Sequence, residues 1–284
     1  AVWNEGMKIE ADELHNFPIS KVDVVGVPQF DLYADAKCLV ERKQFFSTLG
    51  MDPGRKLVIY AASTEGLIPN EPDIVETVCR IIQQGLLERP AQLIVRLHPI
   101  TSPQLRSEYQ RRFSGRPHLF LQSPGRLSSL HDGWDPTWSD MLMLASTLFY
   151  AEVVVNVAST ITIDAAVLDR PILCIAFGGG GEKHYSTGFG GIFARSHYRK
   201  LVETKGLELV YSEEELVDAL NGHIANPSLG SDGRERMRRE LCYRLDGQSG
   251  RRAACVVLRQ LGISISATTD AGGGKQVYQA LDGR

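Results

Sequence analysis

Short apolar segments alternate with helical segments along the middle of the chain, and this alternation constrains the fold more than any other feature. The apolar segments lack the every-second-residue polar pattern of a half-exposed strand, so both of their faces are predicted to be covered. They span residues 57–62, 92–97, 118–121, 153–156 and 171–176. Apolar residues at helical spacing predict helices over 72–87, 105–113, 138–150 and 159–169. We therefore expect an α/β fold, a Rossmann-like parallel sheet with helices on both faces.

Less regular segments flank this core. We expect the end of a helix at 4–16, a short strand at 21–25 and a helix at 36–49. Further helices are predicted at 213–224, 233–245 and 248–261. The basic residues between Arg234 and Arg244 are interpreted as a solvated helix face.

Composition excludes several classes of function. Of the 284 residues 43% are hydrophobic and 23% are charged, which is typical of a globular protein with a real core. The net charge of −3 provides no overall basic field for a nucleic-acid partner. No apolar run reaches the roughly 18 residues that a membrane-spanning helix needs. The five cysteines form no Cys-x-x-Cys pair, which favours buried reduced thiols in a cytoplasmic protein over a disulfide framework or a zinc site.

A parallel sheet binds its ligand beyond the carboxyl ends of its strands, so the residues that follow each strand are the candidate site. His98 follows the second strand and can donate a hydrogen bond to a phosphate or act as an acid or base. Ser63 and Thr64 follow the first strand. They form either an ordinary strand-to-helix turn or a loop whose N–H groups approach a ligand.

Ser159 and Thr160 follow the fourth strand at the start of a predicted helix. Unpaired N–H groups and two hydroxyls there suit a phosphate, and the same residues also fit simple N-capping by Ser159. Asp164 lies one and a half turns further on, where it either reaches ribose hydroxyls or is solvated at the helix edge. Trp134, in a polar loop, either stacks on a base or belongs to an ordinary surface loop.

Two glycine-rich segments after the fifth strand lack nucleotide-binding signatures. The segment 178–184 is interpreted as a mobile loop that folds over a ligand. It does not match a Walker motif, in which Gly-Lys is followed by Ser or Thr. Residues 188–193 lack the third glycine of a dinucleotide fingerprint. No Asp-x-Asp triplet is present, so no metal is predicted.

Together these phrases resemble a known family. The segment from Val24 to Asp31, the Arg96–Pro99 segment, and Ser159-Thr160 followed by Asp164 and Pro171 resemble the C-terminal, donor-binding half of GT-B glycosyltransferases. The most similar branch contains the CDP-glycerol glycerophosphotransferases and related surface-polysaccharide transferases. A late pattern over residues 197–247 is similar too. Two departures are a Ser-Thr in place of the family's Ser-Ser, and an N-terminal half of which only the end is present.

The resemblance implies a function and a role for each candidate residue. It implies a transferase that uses a nucleotide-activated sugar or polyol phosphate, either CDP-glycerol-like or a UDP-sugar, for polysaccharide or teichoic-acid-like polymers. His98 would be catalytic, Ser159, Thr160, Ser63 and Thr64 would hold the donor phosphates, and Asp164 and Trp134 would contact ribose and base. No metal or cofactor is implied. The acceptor would be a glycan or a lipid-linked glycan, which leaves peripheral association with the inner face of the membrane open.

Two alternatives remain beside the transferase. One is an isomerase similar to the UDP-N-acetylglucosamine 2-epimerases, and the other is a nucleotide-binding half-domain without catalysis. On the transferase interpretation the domain organisation is the end of an N-terminal Rossmann-like domain with a linker (1–35), a donor-binding domain (36–230), C-terminal helices (231–263) and a flexible tail (264–284).

Overall fold

The computed structural model describes residues 1–35, 39–65, 67–68, 70–127, 134–135, 137–178, 189–263, 265–269 and 276–280. The chain divides into two compact units. The smaller unit contains Ala1–Ala36 and Arg239–Arg284, and the larger unit contains Lys37–Arg238. Among the described residues, no helix combines the length and apolar character that crossing a bilayer requires.

The described residues form helices and strands in the following chain order. The helices are α1 (Glu5–His15), α2 (Asp31–Ala34), α3 (Arg42–Thr48), α4 (Glu71–Gln83), α5 (Pro103–Phe113), α6 (Trp138–Tyr150), α7 (Ile161–Val167), α8 (Phe189–Phe193), α9 (Ser196–Glu203), α10 (Glu213–Ala225), α11 (Ser231–Leu241) and α12 (Ser249–Gln260). The strands are β1 (Lys56–Ala61), β2 (Ala91–Arg96), β3 (Leu119–Gln122), β4 (Arg126–Leu127), β5 (Trp134–Asp135), β6 (Val153–Asn156), β7 (Ile172–Ile175), β8 (Glu208–Val210), β9 (Ile265–Thr269) and β10 (Gln276–Ala280).

Six parallel strands form the central sheet of the larger unit, in the order β3-β2-β1-β6-β7-β8. The chain starts in the middle with β1, moves outward to β3, and then crosses back to place β6 on the other side of β1. This is the doubly wound order of a Rossmann-like fold, and it confirms the predicted fold class. The strand order reverses between β1 and β6, which makes this the topological switch point.

The sheet is stable because its central strands are apolar on both faces. Every residue of β2, β6 and β7 is buried, and so is every residue of β1 after Lys56. Helices around the sheet supply the cover: α4, for example, buries Ile74, Val78 and Ile81 completely. Removing this apolar surface from water is the dominant favourable contribution to folding. The five predicted strands are present, although the edge strand β3 is only partly buried, contrary to the expectation that both of its faces are covered.

The structure differs from the sequence prediction at the less apolar elements. The predicted strand at 21–25 is wrong, because Ile19–Lys21 is a short 3-10 helix and Val24 makes only an isolated bridge with Val2. The helix predicted at 36–49 is shorter and starts after Glu41, whose carboxylate accepts the first free amides of α3. The edge strand β8 and helix α9 were not predicted. In the segment 264–284, interpreted as a flexible tail, β9 and β10 pair antiparallel.

The basic run in α11 is not wholly a solvated face, contrary to the sequence prediction. Arg234 is fully buried. Its guanidinium donates to the Asp169 carboxylate at 2.8 Å and to the carbonyls of Leu229 and Pro227 at 2.7 and 2.9 Å. A buried guanidinium is tolerated only with such a complete set of acceptors. Arg234 therefore ties α11 to the rest of the larger unit.

Gly233 allows this close approach of α11, and its substitution gives a test of the packing. A Cβ at Gly233 would overlap the Lys205 carbonyl oxygen and the Gly206 amide nitrogen. Because both atoms belong to backbone, Gly233→Ala should lower the free energy of unfolding by roughly 3 kcal/mol or more, measured by urea denaturation. Gly222→Ala on α10 is the control, since the nearest atom there lies 3.7 Å away. It should change stability by less than about 1 kcal/mol. Equal effects at the two positions would contradict this account.

Candidate functional site

The carboxyl ends of the three central strands bring several predicted site residues to one edge of the sheet. Ala61 of β1 is level with Arg96 of β2, and Tyr60 of β1 is level with Val155 of β6. The loops 62–65, 97–101 and 157–160 therefore emerge side by side at the switch point. We call these three loops the switch-point edge. It carries His98, the Ser63-Thr64 pair and the Ser159-Thr160 pair.

His98 is held in a defined orientation at this edge. Its carbonyl accepts from the Thr101 amide at 3.0 Å and from the Thr101 hydroxyl at 2.7 Å. The Ile100 amide donates to Nδ1 at 3.3 Å. Partial burial lowers the pKa of His98, which favours the neutral imidazole at pH 7. Because Nδ1 accepts, the neutral ring carries its proton on Nε2, and Nε2 is the hydrogen-bond donor.

The Ser159-Thr160 pair precedes α7, which begins two residues later than predicted. Thr160 occupies the N-cap position but its side chain makes no capping bond, and it is exposed. The Ser159 hydroxyl accepts the Ile161 amide at the long distance of 3.4 Å. Simple N-capping by Ser159 therefore uses little of the hydrogen-bonding capacity of these two hydroxyls.

A buried polar network lies beneath the Ser159 loop. The Asn156 side-chain oxygen accepts the Ser159 amide at 3.1 Å, and the Asn156 amide group donates to the Thr162 hydroxyl at 3.2 Å. The Tyr198 hydroxyl lies 3.0 Å from the Thr162 hydroxyl and donates to the Asn156 oxygen at 3.4 Å. Tyr198 comes from α9, so a helix that the sequence analysis missed positions the loop.

The structure describes four of the five cysteines, which were predicted to be buried reduced thiols. Cys79, Cys174 and Cys242 are buried thiols, and Cys255 is a half-buried one. The Cys174 sulfur lies 3.3 Å from the Tyr198 hydroxyl. Burial raises the pKa of Cys174 to about 12, so it remains an unreactive thiol. Cys38 lies outside the described residues.

Asp164 and Trp134 have different placements. Asp164 is buried on α7 and only 9% exposed, so it is not solvated at the helix edge. Trp134 lies in β5, where its backbone is paired with Leu127 of β4. The segment predicted as a mobile loop lies outside the described residues from 179 to 184. Residues 128–133, which precede Trp134 in its polar loop, also lie outside the described residues.

Glu71 is a site residue that the sequence analysis missed. It is 3% exposed, and its two carboxylate oxygens accept the Ser63 amide at 2.9 and 3.1 Å. The hydroxyls of Tyr60 and Tyr109 donate to it at 3.1 and 3.4 Å. Burial raises the pKa of Glu71 to about 7, and the hydrogen bonds from Ser63 and Tyr60 act in the opposite direction. In the sequence Glu71 is an ordinary acidic residue in the first turn of a helix, which gives no sign of burial.

Next to Glu71 is a cavity of about 220 Å³. The Thr64-Glu65 segment lines one side of it, and the first turn of α4 with Glu108 and Arg112 of α5 lines the other. The Arg112 guanidinium forms ion pairs with the carboxylates of Asp73 at 2.7 Å and Glu108 at 3.5 Å. In the part of the chain that the structure describes, no group of three His, Cys, Asp or Glu side chains is arranged to hold a metal ion.

Comparisons with solved structures support a GT-B-like fold for this chain. No family model and no curated protein matches the sequence. The wall teichoic acid polymerase TagF with CDPG is similar over 91% of this chain and 56% of its own, with a TM-score of 0.60 and 13% identity. The S. aureus MnaA–UDP structure is similar over 91% of this chain and 60% of its own, with a TM-score of 0.57 and 14% identity.

A third similar structure is the UDP-GlcNAc 2-epimerase from Neisseria meningitidis bound to UDP-GlcNAc. It matches 91% of this chain and 60% of its own, with a TM-score of 0.55 and 15% identity. This chain thus spans between half and two thirds of the length of these structures. At such identities the similarity shows the fold alone, and this is the GT-B-like fold that the sequence resemblance implies. Two of these neighbours are named as enzymes, one a polymerase and the other an epimerase.

The raised pKa of Glu71 makes a prediction about stability. A carboxyl with a folded-state pKa of about 7 and an unfolded value of 4.5 stabilises the folded state fully below pH 4.5. That contribution is lost as the pH rises through 7, and it amounts to about 3 kcal/mol at most. Glu71→Gln should remove this pH dependence from the free energy of unfolding, measured by urea denaturation between pH 4.5 and 8. The exposed Glu65→Gln is the control and should leave the slope unchanged. Parallel profiles for wild type and Glu71→Gln would contradict the assignment.

Proposed function

We propose that this chain is the donor-binding part of a GT-B transferase that uses a nucleotide-activated sugar or polyol phosphate. The donor is either CDP-glycerol-like or a UDP-sugar, and the product is a surface polysaccharide or a teichoic-acid-like polymer. The observation that carries this proposal is the switch-point edge, where His98 and the two hydroxyl pairs emerge from adjacent parallel strands. The likeness to structures that hold CDPG and UDP supports a nucleotide donor.

In this proposal the donor phosphates lie against the hydroxyls and amides of Ser159, Thr160, Ser63 and Thr64. The Nε2–H of His98 donates to the phosphate that leaves with the nucleotide. Negative charge on that phosphate grows as the bond to the transferred group breaks, so this hydrogen bond is stronger in the transition state than in the ground state. A neutral His98 performs this role by hydrogen bonding, without first becoming an imidazolium.

The remaining parts of the donor are assigned to the other predicted residues. Asp164 would contact the ribose from α7, and Trp134 would contact the base. The scheme uses no metal ion and no cofactor, because the histidine and the hydroxyl pairs supply the phosphate contacts. The acceptor would be a glycan or a lipid-linked glycan, with peripheral membrane association in the second case and a cytoplasmic location for the reaction.

The epimerase neighbours favour a second candidate function. An isomerase that acts on UDP-N-acetylglucosamine would use the same edge to hold the UDP phosphates. It differs from a transferase in one measurable way, since it forms product from the sugar nucleotide alone. A third interpretation, a half-domain that binds nucleotide without catalysis, forms no product under any condition.

Calorimetric titration with CDP, UDP, CMP and GDP tests the proposed site directly. We expect one of these nucleotides to bind, and His98→Ala and Ser159→Ala each to weaken that binding by about 1–3 kcal/mol, the value of a lost hydrogen bond to a charged group. The matched controls are His15→Ala at the end of α1 and Ser47→Ala on α3, both exposed. The control variants should bind like the wild type.

The outcomes separate the candidates. If His98→Ala and Ser159→Ala bind as tightly as their controls, the site assignment is wrong. If no nucleotide binds to the folded wild-type chain, the donor-binding proposal is wrong for this chain. Where UDP binds, incubation with UDP-N-acetylglucosamine in the absence of acceptor distinguishes the two reactions, because only the epimerase converts it.

A further inference from the structure

The Ser63 amide, which stands at the start of the switch-point edge, is already occupied by a protein group. Both carboxylate oxygens of Glu71 accept it, at 2.9 and 3.1 Å. The Ser63 side chain is buried as well, and its hydrogen bond to the Glu71 carboxylate is one of the contacts that lower the pKa of Glu71. Glu71 is thus bonded to the backbone of a loop that the proposed function assigns to donor phosphate. The charge behind this loop, and the availability of the Ser63 amide to a phosphate, therefore depend on Glu71.

The groups that face Glu71 are neutral. Tyr60 projects from β1 and Tyr109 from α5, and burial raises the pKa of both hydroxyls, so they remain phenols that donate to the carboxylate. Around the adjoining cavity the charged groups are Glu65 in the loop, Asp73 on α4, and Glu108 and Arg112 on α5. Arg112 bonds to the two acids nearest to it. The carboxylate is therefore held by dipoles and not by a partner cation among the described residues.

The two protonation states of Glu71 present different surfaces to an anion. As a carboxylate it retains the Ser63 amide and places a negative charge behind the loop, which repels a phosphate. As a carboxylic acid it is a weaker acceptor and has an O–H to donate. The Ser63 hydroxyl, which lies beside the carboxylate, can accept that O–H. Protonation therefore removes the repulsion, reverses the hydrogen bond between Glu71 and the Ser63 hydroxyl, and makes the Ser63 amide available to a ligand.

We propose that Glu71 is a positioning residue that exchanges the Ser63 amide with the donor. A bound phosphate accepts the Ser63 amide while Glu71 takes one proton from solvent, so that donor binding and proton uptake are coupled. No other bond is made or broken in this step. The inference rests on the proposed function, since it takes the ligand at this edge to be a nucleotide phosphate.

The first arm of the test needs no ligand. In a chain labelled with ¹⁵N-serine, the Ser63 amide resonance, assigned by its absence from Ser63→Ala, is followed from pH 5 to 9. We expect it to titrate with a midpoint near neutral pH in the wild type and not to titrate in Glu71→Gln. Tyr60→Phe removes a donor to the charged form and should move the midpoint upward. It serves as the second variant if Glu71→Gln does not fold.

The second arm measures the nucleoside diphosphate that binds the wild type most tightly, CDP or UDP. Its dissociation constant is determined at pH 6, 7 and 8 for wild type and Glu71→Gln. The titration of the phosphate itself is the same for both proteins, so the ratio of the two constants reports Glu71 alone. We expect the dissociation constant of the wild type, divided by that of Glu71→Gln, to rise about tenfold from pH 6 to 8. The reason is that the wild type loses affinity as Glu71 ionises. Calorimetry in two buffers of different ionisation enthalpy should show proton uptake in the wild type that is smaller in the variant.

The results distinguish this inference from the proposed function. If the nucleotide binds but the ratio of constants is independent of pH, the coupling is wrong and the donor site stands. A wild-type Ser63 resonance that does not titrate also overturns the inference. If the resonance titrates and no nucleotide binds to the wild type, the proposed function fails and the coupling to a donor fails with it.

Discussion

The pairing of β1 with β6 at the centre of the sheet is the constraint on which the rest of the site depends. Val58 is level with Val153 in this pair, and both are fully buried. Because the chain returns across β1 to form β6, the loops after these two strands run to opposite sides and leave a crevice between them. Any change that separates the two strands would remove the edge as well as the core.

Two buried polar groups hold the loops on either side of that crevice, and their chemistry differs. Asn156 fixes the Ser159 amide through neutral hydrogen bonds, which are insensitive to pH. Glu71 fixes the Ser63 amide through a group that titrates near neutrality. Buried hydrogen bonds of both kinds fix loop geometry well, since an unsatisfied partner would cost a few kcal/mol. The Ser159 side of the edge is thus held by groups that do not titrate, and the Ser63 side is held by a group that does.

The elements that could be predicted from the sequence are those whose own residues indicate burial. The strand at 153–156 begins with three valines and is buried throughout, and the helix at 138–150 has the observed bounds because its apolar spacing and its Thr137 cap are local signals. Glu71 and Arg234 could not be predicted as buried residues. Their environment is created by Tyr60, Tyr109 and Asp169, which are brought near them only by the tertiary fold. The rule for parallel sheets identified the candidate residues at the strand ends, while the groups that position them could not be predicted.

Burial moves the pKa values of His98 and Glu71 in opposite directions. Burial lowers the pKa of His98, so its Nε2–H stays a neutral donor as the pH falls toward 7. Over the same range Glu71, with a pKa of about 7, takes up a proton. The edge therefore becomes less negative without a change in the tautomer of its histidine. Under the proposed function, attraction of the donor phosphate would be adjusted at Glu71, while the hydrogen bond to the transition state would remain in place at His98.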